Sequence, residues 1–253
     1  MDFFTNVSAP STEIPEQNRR DRADRLVELT RLLDEGEVEG VATQISTALT
    51  QSFIREARAN NVENFDKNAI CDPISYLVAE LLLNATTHAK RHGKVTSKAW
   101  ISAQVLDATP QRAAQIEIAI VDDGCGMLRT LADQLEDNTS NAEAIEMAMR
   151  PLVSCNFGVD FAGQETSNQG VGLYVAKDMI LEAGGRLQII SNNCLYDSSV
   201  RHRRSAYKNL PSNWSGVAIS LTIPFGKIYG LKPSTSLDKI QNPPQSGIAL
   251  NFS

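Results

Sequence analysis

Residues 80–88 read ELLLNATTH, and the character of the polar edge in this stretch decides how the rest of the chain is read. On a helix, residues four apart are neighbours, so Glu80, Asn84 and His88 share one edge within about eighty degrees. Val78, Leu81, Leu82, Ala85 and Ala89 fall mostly on another side, where they can pack on a sheet. A helix with one buried face normally carries long, flexible Lys and Glu toward solvent; this one carries short, definite ligand types. The neutral oxygen of Asn84 suits magnesium, which keeps several waters and takes few protein ligands. Glu80, one turn earlier, is placed to orient or deprotonate a nucleophile beside a terminal phosphate. A polar edge that merely faces water is the competing reading, and this stretch alone does not separate the two.

Two further stretches sharpen the choice. Residues 122–127 read DDGCGM after an apolar alternating run. A carboxylate at Asp122 only accepts hydrogen bonds, which suits the exocyclic amine of adenine. Gly124 and Gly126 permit a bend and the close approach of a flat base. An ordinary strand-ending turn would also use Asp-Gly. Residues 170–173 read GVGL and open a helical pattern, so Gly170, Val171, Gly172 and Leu173 can offer backbone amides to phosphates at the positive end of a helix dipole. The alternative is a glycine turn before a packed helix. No GxxxxGK[ST] loop occurs, and the order of strand, glycines and acid is not that of a dinucleotide fingerprint.

Composition bounds the rest. A chain of 253 residues accommodates one good-sized domain with an accessory element. The formal net charge of -6 argues against general nucleic-acid binding, since phosphate backbones reward a positive surface. The basic run RHRR at 201–204 reads as a solvated loop. No apolar run reaches membrane-spanning length and the first residues carry no signal pattern, so the expected compartment is the cytoplasm, with no membrane contact. Cys71, Cys125, Cys155 and Cys194 are scattered without ligand spacing and read as free thiols.

Along the chain, residues 1–20 read as a loose arm. Residues 21–62 read as a helical extension, with Leu26, Leu29, Leu32 and Leu33, then Val38, Val41, Ile45, Leu49 and Phe53, at helical spacing on either side of Gly36. Core packing is the first reading of that stripe and homodimerisation through it the second. The main domain spans 63–230. Asp72-Pro73 predicts a helix start, and the helix runs to about residue 91. Strands are expected at 99–106 and 115–121, a polar, partly helical insertion at 128–169, a helix at 170–183, a strand at 186–191, a turn-rich stretch at 192–215 and a last strand at 216–224. Residues 231–253 read as a poorly packed tail.

The three stretches in this order resemble the GHKL superfamily, which includes gyrase-type topoisomerases, the large heat-shock chaperones, sensor histidine kinases and mismatch-repair ATPases. ELLLNATTHA resembles its N box, with Glu80 at the acidic position, Asn84 at the magnesium position and His88 closing the NAxxHA form of histidine kinases and anti-sigma-factor kinases. VDDGCGM resembles the first glycine box, which implies adenine recognition by Asp122 and a binding loop of Gly124, Gly126 and Met127. NQGVGLYVAKDMI resembles the second, which places Gly170, Val171, Gly172 and Leu173 at the phosphates. The resemblance implies an α+β sandwich, a mixed, largely antiparallel sheet with helices on one face, which binds ATP and Mg2+. Residues 128–169 then occupy the lid position, and MRPLVSCNF at 149–157 is similar to the serine-containing lid motif of the ATPase branches.

Two departures matter. The three histidines are His88, His92 and His202, so the segment ahead of the N box has no phosphoacceptor histidine. Val217 stands after Gly216 where the family often has threonine. The expectation is a magnesium-dependent ATPase or phosphotransferase, with Glu80 as base, acting on a protein partner. The alternatives are an anti-sigma-factor-like kinase acting in trans and a non-catalytic ATP sensor.

Overall fold

The computed structural model describes residues 26–59, 66–89, 98–153, 170–200, 202 and 205–241, with the side chains of 26, 56–59 and 88–89 outside that description. Strand β2 (Ala99–Leu106) and strand β3 (Gln115–Asp122) form where the alternating apolar pattern places them. Their inward residues meet in register: Ile101 opposite Ile120, Ala103 opposite Ile118, Val105 opposite Ile116. Strand β5 (Tyr207–Pro224) adds Ile219, Leu221 and Ile223 beside the same β3 isoleucines, and strand β4 (Arg186–Asp197) adds Leu187 and Ile189. With strand β1 (Leu26–Leu32) the sheet has five strands in the order β1-β2-β3-β5-β4, antiparallel at every described pairing.

Helix α2 (Asn68–Ala89) covers the inward rows with Ile70, Ile74, Leu77, Val78, Leu81, Leu82 and Ala85, each buried. Full burial of such a side chain contributes about 1.5–3 kcal/mol, so this face fixes the helix on the sheet. Helix α1 (Val38–Ala59) lies on α2 and buries Val38, Ala42, Ile45 and Leu49, while Phe53 stacks on Phe225 at 4.7 Å between ring centres. Of the apolar stripe, Leu32, Val38, Ile45 and Leu49 are thus packed within the chain, while Leu29 and Leu33 stay exposed. Helix α3 (Met127–Thr130) and helix α4 (Asn141–Ala148) follow β3; a capping box between Ser140 and Glu143 starts α4, and Ala144 and Ile145 bury it. Within the expected lid, Leu131, Ala144, Ile145 and Met149 are buried, most of 132–140 is exposed, and 154–169 lie outside the described residues. Helix α5 (Gly172–Glu182) packs against α2, β4 and β5.

The structure departs from the sequence expectations in four places. Residues 26–32 are strand, not helix: only alternate positions face inward, Leu32 is fully buried against the β2 end, and Leu29 stands out at a bulge opposite Ser102. Helix α2 begins before Pro73, because the Asp66 carboxylate accepts from Asn68 N at 2.9 Å and Ile70 adds a buried contact to the early turn. Pro73 costs one hydrogen bond, that of the Ala69 carbonyl.

The third departure is in β4. A straight strand of this length would span roughly 36 Å. Instead Ser198 N reaches the Leu187 carbonyl at 2.9 Å, and Arg186 Nε donates to Asp197 Oδ1 at 3.0 Å. The chain reverses at Asn192, whose φ is +55°, so the later residues return along the earlier ones. Residues 194–196 pair with 209–207 and residues 186–191 pair with 222–217, so 210–216 must pass round the reversal as a collar. The stretch expected to be turn-rich is both turned and paired.

The fourth is helix α6 (Pro233–Gln241), where a poorly packed tail was expected. It docks on α5 through Asp178, whose Oδ2 accepts from Ser236 Oγ and from Lys239 Nζ, each at 2.7 Å. Burial raises the Asp178 carboxyl pKa, but these two donors outweigh it and leave the net value lowered. A lowered folded value means stability that is fully present above the ordinary carboxylate range and lost as pH falls through the lowered one. Asp178→Asn is therefore expected to reduce the thermal midpoint at pH 7, with the gap to wild type closing as the pH is taken below about 4. A gap independent of pH from 7 to 3 would remove the charged contact from the account of α6.

Candidate nucleotide site

The period of two that buries Ile116, Ile118 and Ile120 carries on to Asp122, which ends β3 facing inward and is 5% exposed. A buried carboxylate needs donors. Oδ1 accepts from Gly124 N at 2.8 Å, closing the turn on itself, and from Val217 N at 3.2 Å across the sheet. Asp123 is differently employed: Lys98 N donates to its Oδ1 at 2.8 Å and its own amide donates to the Lys98 carbonyl, which continues the β2–β3 ladder. The pair of aspartates divides between an inward acceptor and a strand tie.

Beyond Gly124 the loop is locked from the β4 side. Gly126 has φ +79°, a backbone angle that favours glycine, and a Cβ there would push the Asn192 carboxamide aside. Met127 N donates to Ser191 Oγ at 2.8 Å, and Thr130 Oγ1 donates to the Gly126 carbonyl at 2.9 Å. The Cys125 thiol lies 3.3 Å from the Thr130 hydroxyl, and Cys71, Cys125 and Cys194 are free; Cys155 is outside the described residues. A cleft of about 530 Å3 opens beside this loop, bounded by Cys125, Arg129, Asn192, Asn213 and Ser215. Glu80, Asn84 and Gly170–173 do not line it, so it lies to one side of the residues singled out for nucleotide.

The polar edge of α2 carries Tyr76, Glu80 and Asn84, all half-buried. Burial raises the Glu80 pKa, and a hydrogen bond with Tyr76 one turn back partly opposes that. The Tyr76 hydroxyl is held well above its ordinary value by burial and by the adjacent Glu80 charge. Glu80 is the residue that meets the second glycine stretch: a Cβ on Gly172 would collide with its carboxylate. Gly172 is buried at the first position of α5, behind Gly170, whose φ is +68°, and Val171, which caps the helix without a side-chain hydrogen bond. Leu173 points into the core. His88 lies on α2, but its side chain is outside the described residues.

The structure thus joins Glu80 to Gly172, and Asp122 and Gly124 to β5. It also joins Gly126 and Met127 to the β4 reversal. The sequence reading missed Tyr76, Ser191, Asn192, Trp214 and Ser215. Tyr76 could have been found, four residues before Glu80 on one helix edge. The others could not: Trp214 Nε1 donates to the Asp122 carbonyl at 3.1 Å across 92 residues of chain. Val217, which departs in side chain, contributes by its backbone amide, and that contact does not depend on a threonine.

Among the described residues, no helix is long and apolar enough to cross a membrane. No curated protein matches the chain. Among solved structures it is similar to the histidine kinase domain of the blue-light activated histidine kinase from Erythrobacter litoralis EL346, with 12% identity, a TM-score of 0.35 and coverage of 77% of this chain. It spans 64% of that domain's length. The sequence profile described as histidine kinase-, DNA gyrase B- and HSP90-like ATPase matches residues 71–226, from the first turn of α2 to the end of β5, and so takes in all three stretches from which the site is built. The chain belongs to that ATPase family.

Proposed function

We propose that this protein binds ATP with magnesium between α2, the β3–α3 loop and the start of α5, hydrolyses it slowly, and passes the resulting change to a protein partner. The observation that carries this reading is the seating of the half-buried Glu80 carboxylate on Gly172 at the start of α5. A base is thereby set beside helix-terminal amides that suit a phosphate chain. Asp122, buried and already oriented by Gly124 N and Val217 N, serves as acceptor for the adenine amine. Asn84, one turn beyond Glu80, would supply a neutral oxygen to the metal.

Among the described residues no cluster of three or more acidic, histidine or cysteine side chains stands ready for a metal. Magnesium here would draw its remaining ligands from phosphate and water, as that ion commonly does, and would supply charge neutralisation. Glu80 would accept a proton from the water that attacks the γ-phosphorus. A new P–O bond to that water forms as the bond to the bridging oxygen breaks, releasing ADP and inorganic phosphate. Positioning supplies most of such catalysis, so the donors around Asp122 matter as much as the base.

Isothermal titration of magnesium-ATP should show binding to wild type that is lost in Asp122→Asn, because the amide would turn a donor toward the adenine amine or the backbone amides. Wild type that takes up no magnesium-ATP would sink the reading altogether.

Glu80→Gln should retain binding while phosphate release falls by about 10²–10⁴-fold, the range of general-base contributions. Undiminished release in that variant would remove Glu80 from the chemistry.

The pH profile offers an independent check. The raised Glu80 value places the acidic limb of phosphate release above the ordinary glutamate range. Tyr76 opposes that rise, so Tyr76→Phe should move the limb to still higher pH. A limb that stays put or moves down would assign the titration to another group.

A further inference from the structure

The residue that holds the adenine-reading aspartate from outside has no counterpart in the three stretches. We infer that Trp214 positions Asp122, and that through this contact the collar of residues 210–216 sets both the affinity of the site and its preference for adenine. The inference rests on the ATP reading above and adds to it a determinant of base specificity outside the nucleotide-binding loops.

The β3–β5 ladder has its last described pair at Val121 and Ala218. One residue further on, the Asp122 carbonyl accepts from Trp214 Nε1 at 3.1 Å. The next residue of the collar, Ser215, donates from Oγ to the Gly124 carbonyl at 3.3 Å. Two residues later Val217 N donates to Asp122 Oδ1 at 3.2 Å. One run of four residues therefore holds the backbone of Asp122, its carboxylate, and the glycine that closes its turn. Gly216, between them, has no room for a side chain: a Cβ would collide with the Asp122 carbonyl and press on the Trp214 ring nitrogen. The closeness of the collar to Asp122 is built in at that glycine.

The chemistry of tryptophan fits the task. The indole N–H donates and cannot accept, so it binds a carbonyl in one sense only. The ring is rigid and has two side-chain torsions, so little freedom is lost in holding it. Trp214 is 39% exposed, which leaves its ring surface open at the edge of the site. The collar pairs with the Asn192 reversal at Trp214, and the reversal is in turn tied to the loop and to α4, where Ser191 Oγ accepts from Met127 N and Asn193 Oδ1 accepts from Asn141 Nδ2 at 2.7 Å. The first glycine loop is thus gripped on one side by the collar and on the other by the reversal that the collar encircles. A carboxylate that must accept from one amine in one direction gains selectivity from such a grip, because a loose one could tilt to suit another base.

The chain has two tryptophans, and Trp100 lies in β2 opposite Val121. Trp100→Phe leaves Trp214 as the sole indole fluorophore, and its emission is expected to change on saturation with magnesium-ATP. In the otherwise wild-type chain, Trp214→Phe keeps an aromatic ring, though a smaller one, and removes the donor. It should raise the Kd for magnesium-ATP about fivefold, the loss of one hydrogen bond of ordinary strength. The ratio of GTP to ATP affinity should shift toward GTP at the same time, while the thermal midpoint stays near that of wild type. A merely structural tryptophan would lower the midpoint and leave Kd and the nucleotide ratio of the folded fraction unchanged. That outcome, or an emission blind to magnesium-ATP, overturns the inference. Should Trp214→Phe fail to fold, Ser215→Ala removes the neighbouring bond to Gly124 and is read in the same way. Wild type that binds no ATP defeats the parent reading as well, whereas wild type that binds while both variants match it defeats this inference alone.

Discussion

A carboxylate buried at the end of an apolar row is the constraint on which this structure turns. The alternation that sends Ile116, Ile118 and Ile120 inward sends Asp122 inward as well, into a place where an unsatisfied charge would be costly. The solution is structural. The turn after Asp122 bends back so that Gly124 N reaches the carboxylate, and β5 is held in the register that brings Val217 N to it. Gly216 must lack a side chain for that register to exist. The loop, the neighbouring strand and the collar are all shaped by one side chain's need for donors.

A second junction, between Glu80 and Gly172, joins the two helices that the loop faces. Helix α2 is committed to the sheet by a long apolar face, which leaves its polar edge with a single direction in which to point. The start of α5 comes close enough to that edge that a single Cβ would displace the carboxylate. Burial on this edge raises the Glu80 pKa, partly opposed by the Tyr76 hydrogen bond.

The elements outside this centre bind it together from both ends of the chain. Strand β1 completes one edge of the sheet, α1 closes over α2, and α6 is tied to α5 by the Asp178 cluster. At the opposite edge, burial raises the Asp197 carboxyl pKa, but Arg186 and then Ser199 outweigh it and hold the net value well below its usual range, at the point where the folded-back strand returns to its own start. Both pairs are partly exposed, so their value lies more in fixing geometry than in stability.

Some of this was legible in the residues. Strands β2 and β3, the helix of the second glycine stretch and the placement of Glu80 on a helix edge and of Asp122 at a strand end follow from local periodicity, which travels along the chain itself. Residues 26–32 misled because leucines at steps of three and four satisfy a helix as well as a bulged strand, and only pairing with β2 separates them. The extra turn of α2 depended on Asp66 and on burial of Ile70, which outweighed the signal of Asp72-Pro73. The reversal at Asn192, the collar and the contacts of Trp214 and Ser215 join residues some ninety positions apart, for which no local pattern exists. The sequence by itself determined the family and the strands and helices that carry its three stretches, because these depend on residue type and short-range period. Tertiary structure alone decided which amides satisfy the Asp122 carboxylate, that Glu80 rests on Gly172, and that a tryptophan holds the loop after β3, because those are facts of distance between segments that meet only when the sheet closes.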